Sequence, residues 1–135
     1  MSSEAAGTTN SKAMTAAGWV LTLLPVALLV MSATFKLTQN EQAVEGVKHF
    51  GYPDGVLVPI GAVEVACTVL YLIPQTAVLG AILLTGYLGG AVATHVSASE
   101  AFIQPILVGV FLWGGLFLRD PRVRALMPLR RKASE

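Results

Sequence analysis

Charge is what this sequence has least of. Only 13% of its 135 residues are Asp, Glu, Lys or Arg, whereas a soluble domain carries about a quarter. The formal net charge is +1, so no global field draws in nucleic acid, and no basic, aromatic-rich stretch offers to bind it. A single cysteine, Cys67, excludes an internal disulfide and any paired-Cys metal motif. Inside an apolar run, that thiol reads as a small buried apolar group. There is no Gly-rich phosphate loop, and no metal site is expected.

What is there is apolar and segmented. A membrane-spanning helix needs about 20 mostly apolar residues, with a range of roughly 17–25. Four segments fit or nearly fit: Ala16–Phe35, Val56–Ile73, Ala77–Val96 and Phe102–Leu118. The first is too long for a signal-peptide core, and only Lys12 precedes it as a basic residue, so it reads as a retained span. Pro74 cannot continue the second helix, because it lacks an N–H and clashes with the preceding turn. The second and third spans therefore form a tight hairpin, and Ser97 to Glu100 make the next short link. Short links make neighbours antiparallel. The fold class is all-α: an integral membrane four-helix bundle.

Lys and Arg set its orientation. The side bearing both tails holds Lys12, Arg119, Arg122, Arg124, Arg130, Arg131 and Lys132, against Lys36 and Lys48 on the other. Both termini are therefore expected in the cytoplasm, in a multi-pass protein of the bacterial inner membrane. Residues 1–15 read as a disordered tail, 16–118 as the membrane domain and 119–135 as a basic cytoplasmic tail. Asp120-Pro121 suits a helix N-cap and first position. In the first outer loop, Thr38 and Glu41 match a capping box. Ala43, Val44, Val47 and Phe50 follow at helical spacing, and Gly51 suits the end of a short surface helix.

Glu64 is the only acid within a span. It lies roughly 12 Å below the outer face at 1.5 Å per residue. A charge at such depth costs a few kcal/mol, so the carboxyl should face the interior and find partners. Gly61, Glu64, Thr68 and Tyr71 form a small and polar stripe at 3–4 residue spacing. Two readings stand for Glu64: a proton-handling or ligand-orienting group, or a structural hydrogen bond between helices. His95, near the outer end of the third span, is the candidate partner in proton handling, because its ordinary pKa lies near 6.5. It reads equally as an interfacial residue. Tyr87, Lys36 and Gln104 are the candidate substrate-binding residues. Tyr87 lies near the level of Glu64, on a face from which His95 is rotated by roughly 100°. Lys36 either turns down toward Glu64 or snorkels to headgroups. Gly86 and Gly90 have GxxxG spacing, which suits close packing within the bundle or a homo-oligomer contact. Pro25 suits a kink, and Trp19, Tyr71 and Trp113 suit an interfacial belt.

The stretches Phe50-Gly51-Tyr52-Pro53, Ile60-Gly61-Ala62-Val63-Glu64 and Leu79 to His95, with the ending Trp113 to Pro121, resemble the DoxX-like family of small bacterial membrane proteins. The resemblance spans about Leu21 to Pro128. Gly61-x-x-Glu64 and Gly89-Gly90-Ala91-x-x-Thr94-His95 are its most specific parts. It implies a membrane-embedded four-helix fold and carries Glu64 and His95 over as functional positions, with Lys36 on weaker grounds. It also implies a small subunit or anchor of a membrane oxidoreductase complex, with quinone as the candidate cofactor. A carrier or assembly factor, and a self-contained enzyme acting on a lipophilic substrate with Glu64 as acid or base, are the alternatives.

Overall fold

The computed structural model describes residues 10–127; residues 1–9 of the expected disordered tail and Arg130, Arg131 and Lys132 of the basic tail lie outside them. Within that range the chain is helical. It forms six helices: α1 Lys12–Leu37, α2 Glu41–His49, α3 Leu57–Leu72, α4 Ala77–Ser97, α5 Ile103–Arg119 and α6 Pro121–Leu126. Besides the four long helices, the two short ones, α2 and α6, lie in the outer loop and after Asp120, where helices are expected to begin. Only α1 and α4 are long and apolar enough to cross a membrane, while α3 and α5, at 16 and 17 residues, are shorter apolar helices.

The helix limits follow local chemistry. Helix α1 begins at Lys12, four residues before the expected Ala16, because Ser11 caps it by accepting from the Met14 N–H at 3.1 Å. Pro25 lies buried inside it. The capping box of Thr38 and Glu41 does not form. The Thr38 hydroxyl turns back to the Thr34 carbonyl at 2.7 Å, and Asn40 caps α2 instead, accepting from the Gln42 N–H at 3.0 Å. Gly51 ends that helix with φ +78°, a conformation glycine adopts without strain. Ile73, forced out of the helical region by Pro74, is extended and closes α3. Asp120 caps α6 with Pro121 at its first position.

The four long helices pack as a ring in the order α1, α3, α4, α5 and back to α1. Consecutive members run antiparallel. The end with the start of α1 and the end of α5 is called here the tail end; the other is the mouth. Glycine sets the closest approaches. A Cβ at Gly115 would lie 2.5 Å from the Thr22 hydroxyl and 2.9 Å from the Gly18 carbonyl, so α1 and α5 touch backbone to backbone there. Gly80 meets the Tyr71 backbone in the α3–α4 hairpin in the same way. Gly86, Gly89 and Gly90 do none of this: a Cβ at any of them meets nothing within 4 Å. Close packing within the bundle is therefore not their role.

The polarity is inside out. Large apolar side chains project from every long helix, among them Leu23, Val63, Ile82 and Val110. Thr22, Glu64 and Thr68 are buried. Tyr71 is fully buried too, its hydroxyl donating to the Leu112 carbonyl at 2.6 Å, so it is a core residue and not a belt anchor.

Candidate functional site

The stripe Gly61, Glu64, Thr68 and Tyr71 faces inward, and all four residues are buried. Thr68 satisfies its hydroxyl by donating to the Glu64 carbonyl one turn earlier, at 2.7 Å. The Glu64 carboxylate is only 1% exposed and therefore needs a partner. Lys36 supplies it. Standing in the last turn of α1, this lysine turns down into the ring and does not reach outward, and its Nζ lies 2.7 Å from Glu64 Oε2.

An ammonium has three hydrogens, and Lys36 uses all of them. It donates to Glu64, to Ser32 Oγ at 2.5 Å and to the Tyr87 hydroxyl at 2.9 Å. Ser32 sits one helical turn before Lys36 on the same face, and its hydroxyl lies 3.4 Å from Glu64 Oε2. Gly61 makes room for the arrangement: a Cβ there would lie 3.1 Å from the Lys36 Cβ. Three helices are thus tied at one point, α1 by Lys36 and Ser32, α3 by Glu64 and α4 by Tyr87. Ser32 is the member that sequence reasoning passed over. Its i, i+4 spacing to Lys36 is the signal that points to it.

Above this knot lies a cavity of about 640 Å³. Lys36, Ser32 and Tyr87 form its polar floor, while Glu64 is sealed beneath them. Its walls are apolar, with Leu28, Met31 and Phe35 on α1. On the α4 side Gly86 and Gly90 leave the wall flat and close to the backbone. Helix α2 roofs it. Three contacts hold the roof segment to the mouth end of α4 and to the α4–α5 link. His49 lies 2.9 Å from the Glu100 carboxylate, Tyr52 OH lies 2.6 Å from Thr94 Oγ1, and the Phe50 ring packs on His95 with centroids 5.1 Å apart.

His95 and Glu64 are not in contact. The His95 Nδ1 donates to the Ala91 carbonyl at 2.7 Å, leaving Nε2 as the second ring nitrogen, and the ring borders the cavity near its roof. Gln104, exposed at the start of α5, borders the same cavity without joining the floor network. The structure therefore gathers Lys36, Tyr87, His95 and Gln104 around one space and puts Glu64 under it. Among the described residues no group of three or more His, Cys, Asp or Glu has metal-binding geometry.

A model of the DoxX-like family matches residues 20–116, most of the chain. Neither the curated proteins nor the solved structures contain a match.

Proposed function

Because the chain belongs to the DoxX-like family, we propose that it is a multi-pass protein of the bacterial inner membrane with both tails in the cytoplasm, acting as a small subunit of a quinone-linked oxidoreductase complex. Its four long helices cross the bilayer, with α3 and α5 the short spans. The apolar side chains that every long helix turns outward support this, because lipid is the solvent that tolerates them. The seven basic residues on the tail side support the orientation.

One observation carries the functional reading: an apolar cavity of about 640 Å³ whose floor is a lysine, a tyrosine and a serine held over a buried carboxylate. That shape suits an amphiphile with an oxygen-bearing head and an apolar body. A quinone has both. Tyr87, whose hydroxyl hydrogen Lys36 leaves free, would hold its carbonyl oxygen, and the flat wall at Gly86 and Gly90 would border its ring. The Tyr87 oxygen accepts from Lys36, so its own O–H is left to point at Glu64 or at a bound ligand. Tyr87 would be the group placed to hold or pass a proton at that carbonyl oxygen, with Lys36 and Glu64 orienting it. The electrons come from the partner, for the chain carries no sequence motif of a redox cofactor. Glu64, sealed under Lys36, is a positioning group in this scheme, not a base that touches substrate.

Affinity purification from native membranes in mild detergent, with mass spectrometry of proteins and lipids, tests this. The reading predicts a stoichiometric oxidoreductase partner together with bound quinone. A chain that purifies alone, with neither, overturns it.

A further inference from the structure

The tail end of the ring holds a second polar constellation that the cavity at the mouth does not use. Arg119, the last residue of α5, folds inward. Its guanidinium stacks over the Trp19 ring at 4.6 Å and over the Tyr71 ring at 5.1 Å. Its Nε donates to the Thr22 hydroxyl at 3.1 Å and one terminal nitrogen, Nη2, reaches the Tyr71 carbonyl at 3.5 Å. Every one of these partners is neutral. Among the described residues no carboxylate lies within salt-bridge distance of Arg119, and Nη1 has no hydrogen-bond partner. The ring stacking fixes where the cation sits without cancelling its charge.

Arg119 borders a cavity of about 290 Å³ together with Trp19, Ala77, Asp120 and Arg122. Two guanidinium groups and one carboxylate make that lining net cationic. The carboxylate is already engaged: Asp120 Oδ1 accepts from the Arg122 N–H at 2.9 Å and lies 3.4 Å from Arg122 Nε. The start of α4 adds to the positive field. Thr76 does not cap it, because the hydroxyl donates to the Leu70 carbonyl at 2.7 Å instead, and the first helical residue, Ala77, borders the cavity. A guanidinium with a free edge suits the paired oxygens of a phosphate, to which it donates from two nitrogens.

We propose that this cavity is a phosphate site, formed by Arg119 from within the bundle and Arg122 from its rim. The phosphate of an anionic phospholipid headgroup and free phosphate share that chemistry. Trp19, on the apolar outer surface beside the cavity, and the exposed apolar faces of the adjoining helices offer an acyl chain a continuous path away from the site. The site is independent of what binds at the mouth.

The test is native mass spectrometry of the full chain, in detergent carrying equal amounts of phosphatidylglycerol and of diacylglycerol, which has no phosphate, with and without inorganic phosphate. Each arginine near anionic lipid contributes about 1 kcal/mol, close to fivefold in affinity. Wild type should retain phosphatidylglycerol preferentially, and Arg122→Gln should lower that preference about fivefold. Arg122 is exposed on its side-chain face, so this variant folds whether or not Arg119→Gln does. Arg124→Gln is the control of equal charge. Arg124 donates to the Phe117 and Leu118 carbonyls and to Asn10 and does not border the cavity, so its loss should leave the preference unchanged. If inorganic phosphate displaces the lipid, the site takes phosphate from either source; if it does not, the lipid headgroup is its ligand. Equal retention of the two lipids, an unchanged preference in Arg122→Gln, or an equal loss in Arg124→Gln each overturns the proposal.

Discussion

Lys36 Nζ and Glu64 Oε2 lie 2.7 Å apart, 28 positions apart in sequence, with the carboxylate sealed from solvent and the lysine forming the floor of a cavity. Neither group has another partner of opposite charge among the described residues. Removing one partner strands the other.

Glu64→Gln should therefore lower the thermal midpoint markedly. Breaking a buried pair from one side costs about 3–5 kcal/mol. Replacing both, Lys36→Met with Glu64→Met, should recover most of that loss, because no buried charge is left over. Thermal unfolding of the three variants in one detergent checks it. A Glu64→Gln protein as stable as wild type would show that the pair is not an ion pair in solution.

The glycines should separate into two kinds. Gly115→Ala drives a methyl group against Thr22 and the Gly18 backbone and should destabilise by about 1–3 kcal/mol. Gly86→Ala meets open space and should be neutral or slightly stabilising, as Ala is about 1 kcal/mol better than Gly inside a helix. Thermal midpoints of the two variants decide it, and the opposite order would contradict the packing described.

The roof over the cavity should be loosely held. The His49–Glu100 pair is half exposed, and exposed pairs are worth about 0–1 kcal/mol. Tyr52→Phe removes the one hydroxyl contact to Thr94. In hydrogen exchange, that variant should speed exchange across α2 while leaving α3 and α5 as slow as in wild type. Equal acceleration in all helices would mean that the segment is part of the core.

Labelling should report the topology. A membrane-impermeant maleimide applied to intact cells should reach Asp54→Cys in the mouth loop but not Gln75→Cys in the α3–α4 turn, both exposed positions. The native Cys67 is buried and should stay silent. Labelling of Gln75→Cys from outside would reverse the orientation.

Much of this was legible in the residues because the bilayer argument depends on few of them. Pro74 fixes the hairpin, Gly51 ends α2 and Glu64 marks the inward stripe of α3. Each of these follows from a local rule with one outcome. The failures share a cause. Thr38 and Asn40 both suit an N-cap, and the choice fell to how far α1 runs before it stops. Tyr71 suits an interfacial belt by depth alone, but its hydroxyl finds Leu112 and Thr22 across the ring. The spacing of Gly86 and Gly90 is that of a packing motif, yet the neighbouring helix does not come close, and Gly18 and Gly115, which do pack, have no such spacing between them. For Lys36 both directions were open, and the buried carboxylate on a different helix decides between them. Contacts between helices are a property of the assembled ring, which no single segment encodes.

Quinone content of the purified protein is the most direct test of the central claim, measured on wild type and Gly90→Leu from the same membranes. Gly90 borders the cavity, and a Cβ there meets nothing within 4 Å, so a leucine takes up cavity space while Lys36, Glu64 and Tyr87 all stay in the sequence. The account predicts quinone bound to wild type and lost from Gly90→Leu, with the partner protein and thermal midpoint retained in both. Quinone absent from wild type, or equally abundant in Gly90→Leu, would contradict it.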